Sequence, residues 1–400
     1  LRTGEKVLGE FFHSFFPGSG APYKSRIEST AMHEYEKRLN NRNQRLKDRQ
    51  RQDLTISILR AVVAAIALIL GILVFYFHRI SMFWLVLPVI TFIVLMVVHE
   101  KVIRAKDRAL RAVKYYEHGQ ARMNDRWQGF ENAQTGSRFA DPQHPYSHDL
   151  DLFGSGSLYE LLCSARTQSG EETLANWLKS PADLQTIGKR QEAVEELRQE
   201  LDFREELALI GGEARLELHP EALNRWAEAA PVHFSPALRF TAILLPLLAV
   251  AAIWGWAFRD LGPAPFFLIL ALEWAITKSA RQRAKHILED AEAEHLQVKL
   301  LAQALSCFEK HRPFKAARLA ELGRELHAHG LSPSRQVARM DFFLDMLDWQ
   351  RNQFFAPIAI VLLWEIHLAI ALEAWRQRCG GSIRKWISVV GEFEALSSLS

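Results

Sequence analysis

Few residues in this 400-residue chain stand where their types and spacing could do chemistry. Glu273 is the one charge inside an apolar run over 262–277. An ionisable group in a membrane span is a functional hypothesis by default. Its plainer reading is a pair with a neighbouring helix, or a side chain reaching toward Lys278 at the end of the run. That reading is preferred here, because no other apolar run supplies the partner a proton path needs. His144 and His148, with Asp149 and Asp151, have side chains that suit zinc or iron. Pro145, however, disfavours a helix through His144, so no i, i+4 geometry follows. Ile187-Gly188-Lys189-Arg190 lacks the upstream glycine and the Ser/Thr of a P-loop, and Gly154-Ser155-Gly156 reads as a turn rather than a dinucleotide fingerprint. No Cys-x-x-Cys, His-Glu-x-x-His or Gly-x-Ser-x-Gly pattern occurs. No catalytic, cofactor-binding or metal-ligating residue is assigned on these patterns.

The strongest electrostatic feature is Arg42, Arg45, Lys47, Arg49 and Arg51. Its simple role is a membrane-flanking anchor attracted to anionic lipid. A nucleic-acid surface would interleave aromatic residues, and none stands among these.

The elements that must position these residues are helices. Charge nearly cancels, 49 basic against 46 acidic residues, so no global field points to nucleic acid. A mean hydropathy of −0.07 suggests an ordinary soluble protein, but it averages a charged chain with four apolar runs. Three scattered cysteines (Cys163, Cys307, Cys379) make no disulfide framework. The apolar runs are 61–77, 80–98, 240–258 and 262–277. A span needs about 20 mostly apolar residues to cross ~30 Å of hydrocarbon. The first three reach that length with their flanks; the fourth is short and reads as a tilted span or a re-entrant helix. His78-Arg79 joins the first pair and Arg259-Asp260-Leu261 the second, so each pair reads as a hairpin. Basic residues before and after the first hairpin, and Lys278, Arg281, Arg283 and Lys285 after the second, put the flanks and both termini on the cytoplasmic side of the inner membrane.

Between the spans the chain is punctuated as helices. Residues 1–30 read as a short amphipathic helix with Phe11, Phe12, Phe15 and Phe16, then a Pro17-Gly18-Ser19-Gly20 linker, or as translated upstream sequence. Residues 100–128 continue the second span as a helix. The alternation in 149–152 predicts a short edge strand. Ser157 caps a helix from Leu158. Ser169 with Glu172 reads as a capping box, and Ser180 as the cap of a helix with Pro181 at its first position. Leucine stripes follow at Leu300, Leu301 and Leu305, at Leu319, Leu322 and Leu326, and at Val337, Met340 and Leu344. The segment 354–375 predicts a helix buried in protein, since Glu365 and Glu373 would cost at least ~2.5 kcal/mol each at the centre of a bilayer.

Residues 141–210 carry Asp149-Leu150-Asp151-Leu152, Gly156-Ser157-Leu158, Arg166-Thr167-Gln168-Ser169-Gly170, Leu174 with Trp177-Leu178, Pro181, and Ile187 followed by Arg190-Gln191. On these residues the segment resembles the start of the core domain of the MutS family of DNA mismatch-repair proteins. Gly391-Glu392-Phe393-Glu394-Ala395-Leu396 is similar to the last core helix, which leads into that family's ATPase domain. The layout with hairpins resembles a membrane-attached branch of the family. The likeness covers 110–210 and 335–400. It implies a mainly α chain: two transmembrane hairpins plus a cytoplasmic MutS-core-like helical lever domain. The expected organisation is a basic segment (1–53), hairpin one (54–99), an amphipathic helix and linker (100–140), a first core-like part (141–233), hairpin two (234–279) and a second core and lever part (280–400).

The resemblance also implies ATP with Mg in a domain beyond Ser400, mismatched DNA as a ligand, and a homodimer. The chain is accordingly expected to be a fragment. The family's mismatch-reading domain is absent. Phe203-Arg204-Glu205 has the letters of its Phe-x-Glu wedge, yet falls in a core-like helix, so that role is not carried over. A reading from a different class is a helical membrane scaffold that binds a protein partner without nucleotide chemistry; a third is a transporter using Glu273.

Overall fold

Helices account for about four-fifths of the described chain. The computed structural model describes residues 21–75, 84, 86–129, 134–210, 220–259, 262–311, 313–326, 332–350 and 355–400, with side chains from residue 31 except 75, 220, 349 and 350. Fourteen α-helices and one 3-10 turn, and no strand, are found among these residues. The chain divides between residues 133 and 134 into two compact units. The phenylalanines of 11–16, the Pro-Gly linker and the tips His78-Arg79 and Asp260-Leu261 lie outside the described residues.

The first unit is a pair of long helices, α1 (Ala21–Phe75) and α2 (Val86–Met123). At 1.5 Å per residue α1 is about 80 Å long, far more than a bilayer requires. Its second half and the start of α2 present Ile58, Val62, Ile66, Ile69, Leu87, Ile90 and Val94 outward. The charged halves pair antiparallel. Tyr35 meets Tyr116 edge-on at 5.5 Å, and Arg38 Nη1 donates to Tyr116 Oη at 3.3 Å. Further along, the Asp53 carboxylate accepts from Lys106 Nζ and His99 Nε2, both at 2.7 Å. Residues 21–53 of the basic segment are therefore no separate tail; they are one helix with the first apolar run.

The second unit is built round one helix. Its elements are α3 (Leu158–Leu162), α4 (Gln168–Lys179), α5 (Leu184–Gln199), α6 (Leu201–Ala208), α7 (Pro220–Glu228), α8 (Pro236–Arg259), α9 (Ala264–Ala293), α10 (His295–Lys310), α11 (Ala317–Leu326), α12 (Pro333–Gln350), α13 (Ala356–Val361) and α14 (Trp364–Ser398). Helix α14 packs against α4, α5, α7 and α9 to α13. Its Ile366, Ala369, Leu372, Ile383, Val390, Phe393 and Leu396 are buried. Phe393 stacks on Phe308 of α10 at 4.2 Å, with Phe203 and Phe314 around them. The buried-helix reading of 354–375 matches this, with a break at Leu363, whose φ of 48° separates α13 from α14.

Three helices are long and apolar enough to cross a membrane: α1, α2 and α8. The fourth expected run, 262–277, opens α9 and is not one of them. It continues without a break into a charged half whose Ala280, Ala284, Leu288 and Ala291 enter the protein core. Alanines at 242 and 249 of α8 are fully buried too, and small residues let helix backbones approach closely.

Several local expectations shift. Residues 149–152 form turns, not a strand: the amides of Leu150, Asp151 and Leu152 donate to Tyr146, His148 and Ser147 carbonyls. Leu152 is buried while Leu150 is exposed, so the alternation reflects a turn packed on one side. Ser157 does cap α3, its oxygen accepting from Glu160 N at 3.2 Å. The cap of α4 is Thr167, not Ser169; Thr167 Oγ1 accepts from Gly170 N at 3.1 Å. The cap of α5 is Asp183, which accepts from Thr186 N at 2.9 Å, and Ser180 closes α4 instead. That geometry holds the Asp183 carboxyl below its usual range through the Thr186 amide and hydroxyl.

Candidate functional site

The segments that carried the family resemblance come together, although more than two hundred residues separate them. Helix α4 crosses α14 where each contributes a glycine. A Cβ on Gly170 would stand within 2.8 Å of the Glu394 side chain; one on Gly391 would stand 2.8 Å from the Ser169 backbone. Neither helix can carry a side chain there without moving the other, because a Cβ needs well over 3 Å. Ser169 Oγ then donates to the Ile387 carbonyl at 3.1 Å.

Glu394 lies at the centre of this crossing, 3 % exposed. Its carboxylate accepts from the Thr167 amide at 3.1 Å, from the Thr167 hydroxyl, and from the Arg166 amide at 3.4 Å. Nearby, Ser398 Oγ accepts from the Ser164 amide at 3.1 Å. Burial pushes the Glu394 carboxyl up to about 7; the Thr167 and Arg166 donors oppose the shift without cancelling it. A small polar cavity opens beside it, lined by Ser164, Arg166, Arg204, Glu394 and Ser397.

The rest of the resemblance packs around the same face. Arg190 of α5 lies over the Trp177 ring of α4 at 3.8 Å, a close cation–π distance. Glu196 accepts from the amides of Lys315 and Ala316 at 2.8 and 2.6 Å and so satisfies the start of α11. Arg318 of α11 grips Glu392 of α14 through Nε and Nη2, both at 2.6 Å, and also reaches Glu321 and Glu325. A bidentate pair of this kind fixes angle as well as distance. On the far side, Arg376 of α14 donates to the Trp226 and Ala230 carbonyls, while Glu373 accepts from Val232 N at 3.1 Å. That pair anchors the chain just before α8.

The other residues weighed in the sequence are placed as follows. Gly188 and Lys189 sit inside α5, with Lys189 bonded to Glu321 at 2.8 Å, so no phosphate loop forms there. Gly154 and Gly156 have φ of 117° and 77°, which is the turn reading. His144 Nε2 and the Tyr146 hydroxyl meet the Lys179 carbonyl and finish α4. Phe203, Arg204 and Glu205 are buried in α6, as a core helix requires. Arg42, Arg45 and Arg49 share one side of α1, and Lys47 and Arg51 the opposite side, at 100° per residue. Glu273 is fully buried, and neither carboxylate oxygen has a hydrogen-bond partner. The cation that faces it is Arg281, at 3.9 Å, rather than Lys278, which lies over Trp274.

Two groupings escaped the sequence reading. Glu206, Cys307 and His311 bring ligand-type atoms within 4.8 Å of one another, and so do His295, Asp341 and Asp345. The i, i+4 spacings Cys307/His311 and Asp341/Asp345 were the available signals. Comparison with models of known families, with curated proteins and with solved structures found no match to this chain.

Proposed function

We propose that this chain is a membrane-anchored MutS-related protein: the core and lever portion of an ATP-dependent machine that binds mismatched DNA. The observation that carries the reading is the α4–α14 crossing. The Thr-x-x-Gly turn and the last core helix, which resemble that family separately, meet through reciprocal glycines and one buried glutamate. A lever needs such a joint, since coupling between distant sites requires a packed element that both can bias. ATP and Mg belong to a domain following Ser400, and dimerisation to that domain. In this reading α1, α2 and the α8–α9 pair are the anchors, in the inner membrane, with the termini cytoplasmic. Arg42, Arg45, Lys47, Arg49 and Arg51 ring α1 and meet anionic headgroups.

The test is to read the coding DNA past the Ser400 codon. A Gly-x-x-x-x-Gly-Lys-Ser/Thr loop after a strand, within about a hundred residues, is expected. The protein so encoded, in lipid nanodiscs, is then expected to bind mismatched duplex with an affinity that falls steeply with salt. An immediate stop codon, with a protein partner that stays bound in detergent, overturns the proposal in favour of a membrane scaffold.

A further inference from the structure

We propose that Glu206, Cys307 and His311 form a divalent-metal site, suited to zinc, that clamps α6 to α10. The three side chains come from two helices that flank the α7–α9 segment in the sequence. Their ligand atoms all lie within 4.8 Å of one another. Tetrahedral zinc, with bonds of about 2.0–2.3 Å, holds its ligands about 3.5 Å apart. A small rotation of each side chain closes that difference without moving either helix.

Three features favour a metal over a chance grouping. The first is the set of atoms: a thiol, an imidazole and a carboxylate are the ligands zinc takes, and together they suit no alkali or alkaline-earth ion. The second is the histidine. His311 Nδ1 lies 3.0 Å from the Cys307 carbonyl, which can only accept. Nδ1 therefore carries the proton, and Nε2 presents its lone pair. A backbone carbonyl on the other ring nitrogen is the usual support for a zinc-bound imidazole. Phe203 packs edge-on against that ring at 5.1 Å and fixes its plane.

The third feature is burial of mixed degree. Cys307 is 1 % exposed, whereas Glu206 and His311 are half-buried, so an ion enters from the solvent side and meets sulfur at the bottom. On binding, the Cys307 thiol releases its proton to solvent and a metal–sulfur bond forms; zinc undergoes no redox change. One position of the tetrahedron remains for water. Lys310 Nζ, 3.4 Å from Glu206, is the competitor the metal must displace. The second grouping offers a contrast: His295 Nε2 is already taken up by a hydrogen bond with Asp341 at 2.9 Å, with Asp345 at 3.6 Å.

The experiment uses the full chain in detergent, stripped of metal by a chelator and titrated with Co2+, then with Zn2+. Expected is one tightly bound Co2+ per chain with the near-ultraviolet absorption of a cobalt–thiolate bond, lost when Zn2+ displaces it. Cys307→Ala removes that absorption. Glu206→Gln weakens binding by at least about tenfold, as for partners of a metal site. Asp341→Asn leaves both unchanged. Circular dichroism reports whether each variant is folded; if Cys307→Ala is not, His311→Gln at the helix end carries the same test. An absorption that survives Cys307→Ala, Co2+ bound without it, or a folded chain that binds no Co2+ overturns the proposal.

Discussion

Two pairs of helices in this protein meet around a carboxylate, and they treat it in opposite ways. In the α1–α2 pair, Asp53 sits at the edge of the apolar stretch. It is held first by the Lys106 ammonium and then by the hydrogen bond to His99, which keep its carboxyl below the usual range. In the α4–α14 pair, Glu394 is enclosed and held only by amide and hydroxyl donors, and burial raises it to about 7. The difference follows from what each pair has to settle. Long helices with lipid-facing apolar sides gain little from one register over another, since the bilayer solvates those sides equally well. In the proposed membrane reading, charged pairs beyond the apolar stretch set the register instead. The α4–α14 pair is set by backbone contact at Gly170 and Gly391, and its carboxylate satisfies the turn that the contact leaves buried.

The largest effect that would break this comparison is at the crossing. Gly391→Ala raises helix propensity, which by itself stabilises by up to about 1 kcal/mol. The new Cβ, however, meets the Ser169 backbone at 2.8 Å, and overpacking of this kind costs about 1–3 kcal/mol. A net loss is therefore expected in urea melts of the full chain. Gly188→Ala is the internal control: nothing lies within 4 Å of its new Cβ, so it should gain. If both substitutions stabilise, close glycine contact does not define the joint.

A second prediction concerns Glu394 and has a definite sign. Its folded value of about 7 lies above the ordinary 4.5, so the folded state holds a proton that the unfolded chain releases. The stabilisation is complete below about pH 4.5 and declines as pH rises toward 7, by an amount on the order of 3 kcal/mol. Glu394→Gln removes that slope and leaves the chain more stable at pH 8. A slope unchanged in the variant assigns the effect to another group.

How much of this was legible from residues alone depended on whether the signal was local. Apolar runs and leucine stripes were, because burial imposes a period that one segment carries in full. The Ser157 cap was found where expected, while two other caps were found in kind but misplaced. Ser169 competes with Thr167, and Ser180 with Asp183, within two or three positions, and tertiary contacts choose between them. The alternation at 149–152 misled, since a strand buries both leucines on one face, whereas this turn buries Leu152 and leaves Leu150 exposed. The α4–α14 joint was not legible as a contact: each half carried a family-like pattern, but nothing in either names its partner. The Cys307/His311 spacing escaped the sequence reading, because its third member, Glu206, comes from α6, about a hundred residues away.

The smallest effect expected is at Asp53, and it tests the other half of the comparison. Its folded value is depressed, so its contribution is present above the ordinary carboxylate range and is lost as pH falls through the folded value. Acid therefore loosens the α1–α2 pair, whereas rising pH loosens α4–α14. Because Asp53 is near solvent, its pairs are screened, and salt should mimic acid. Asp53→Asn should leave total helix content unchanged while weakening the match of the two charged halves. Disulfide trapping reads this directly. A cysteine pair placed at Tyr35 and Gly119, where a Cβ on Gly119 would meet the Tyr35 ring, is expected to cross-link in the parent chain and more slowly with Asp53→Asn. Equal rates at low and high salt would mean that apolar packing near Leu46 and Tyr116, not charge, sets the register.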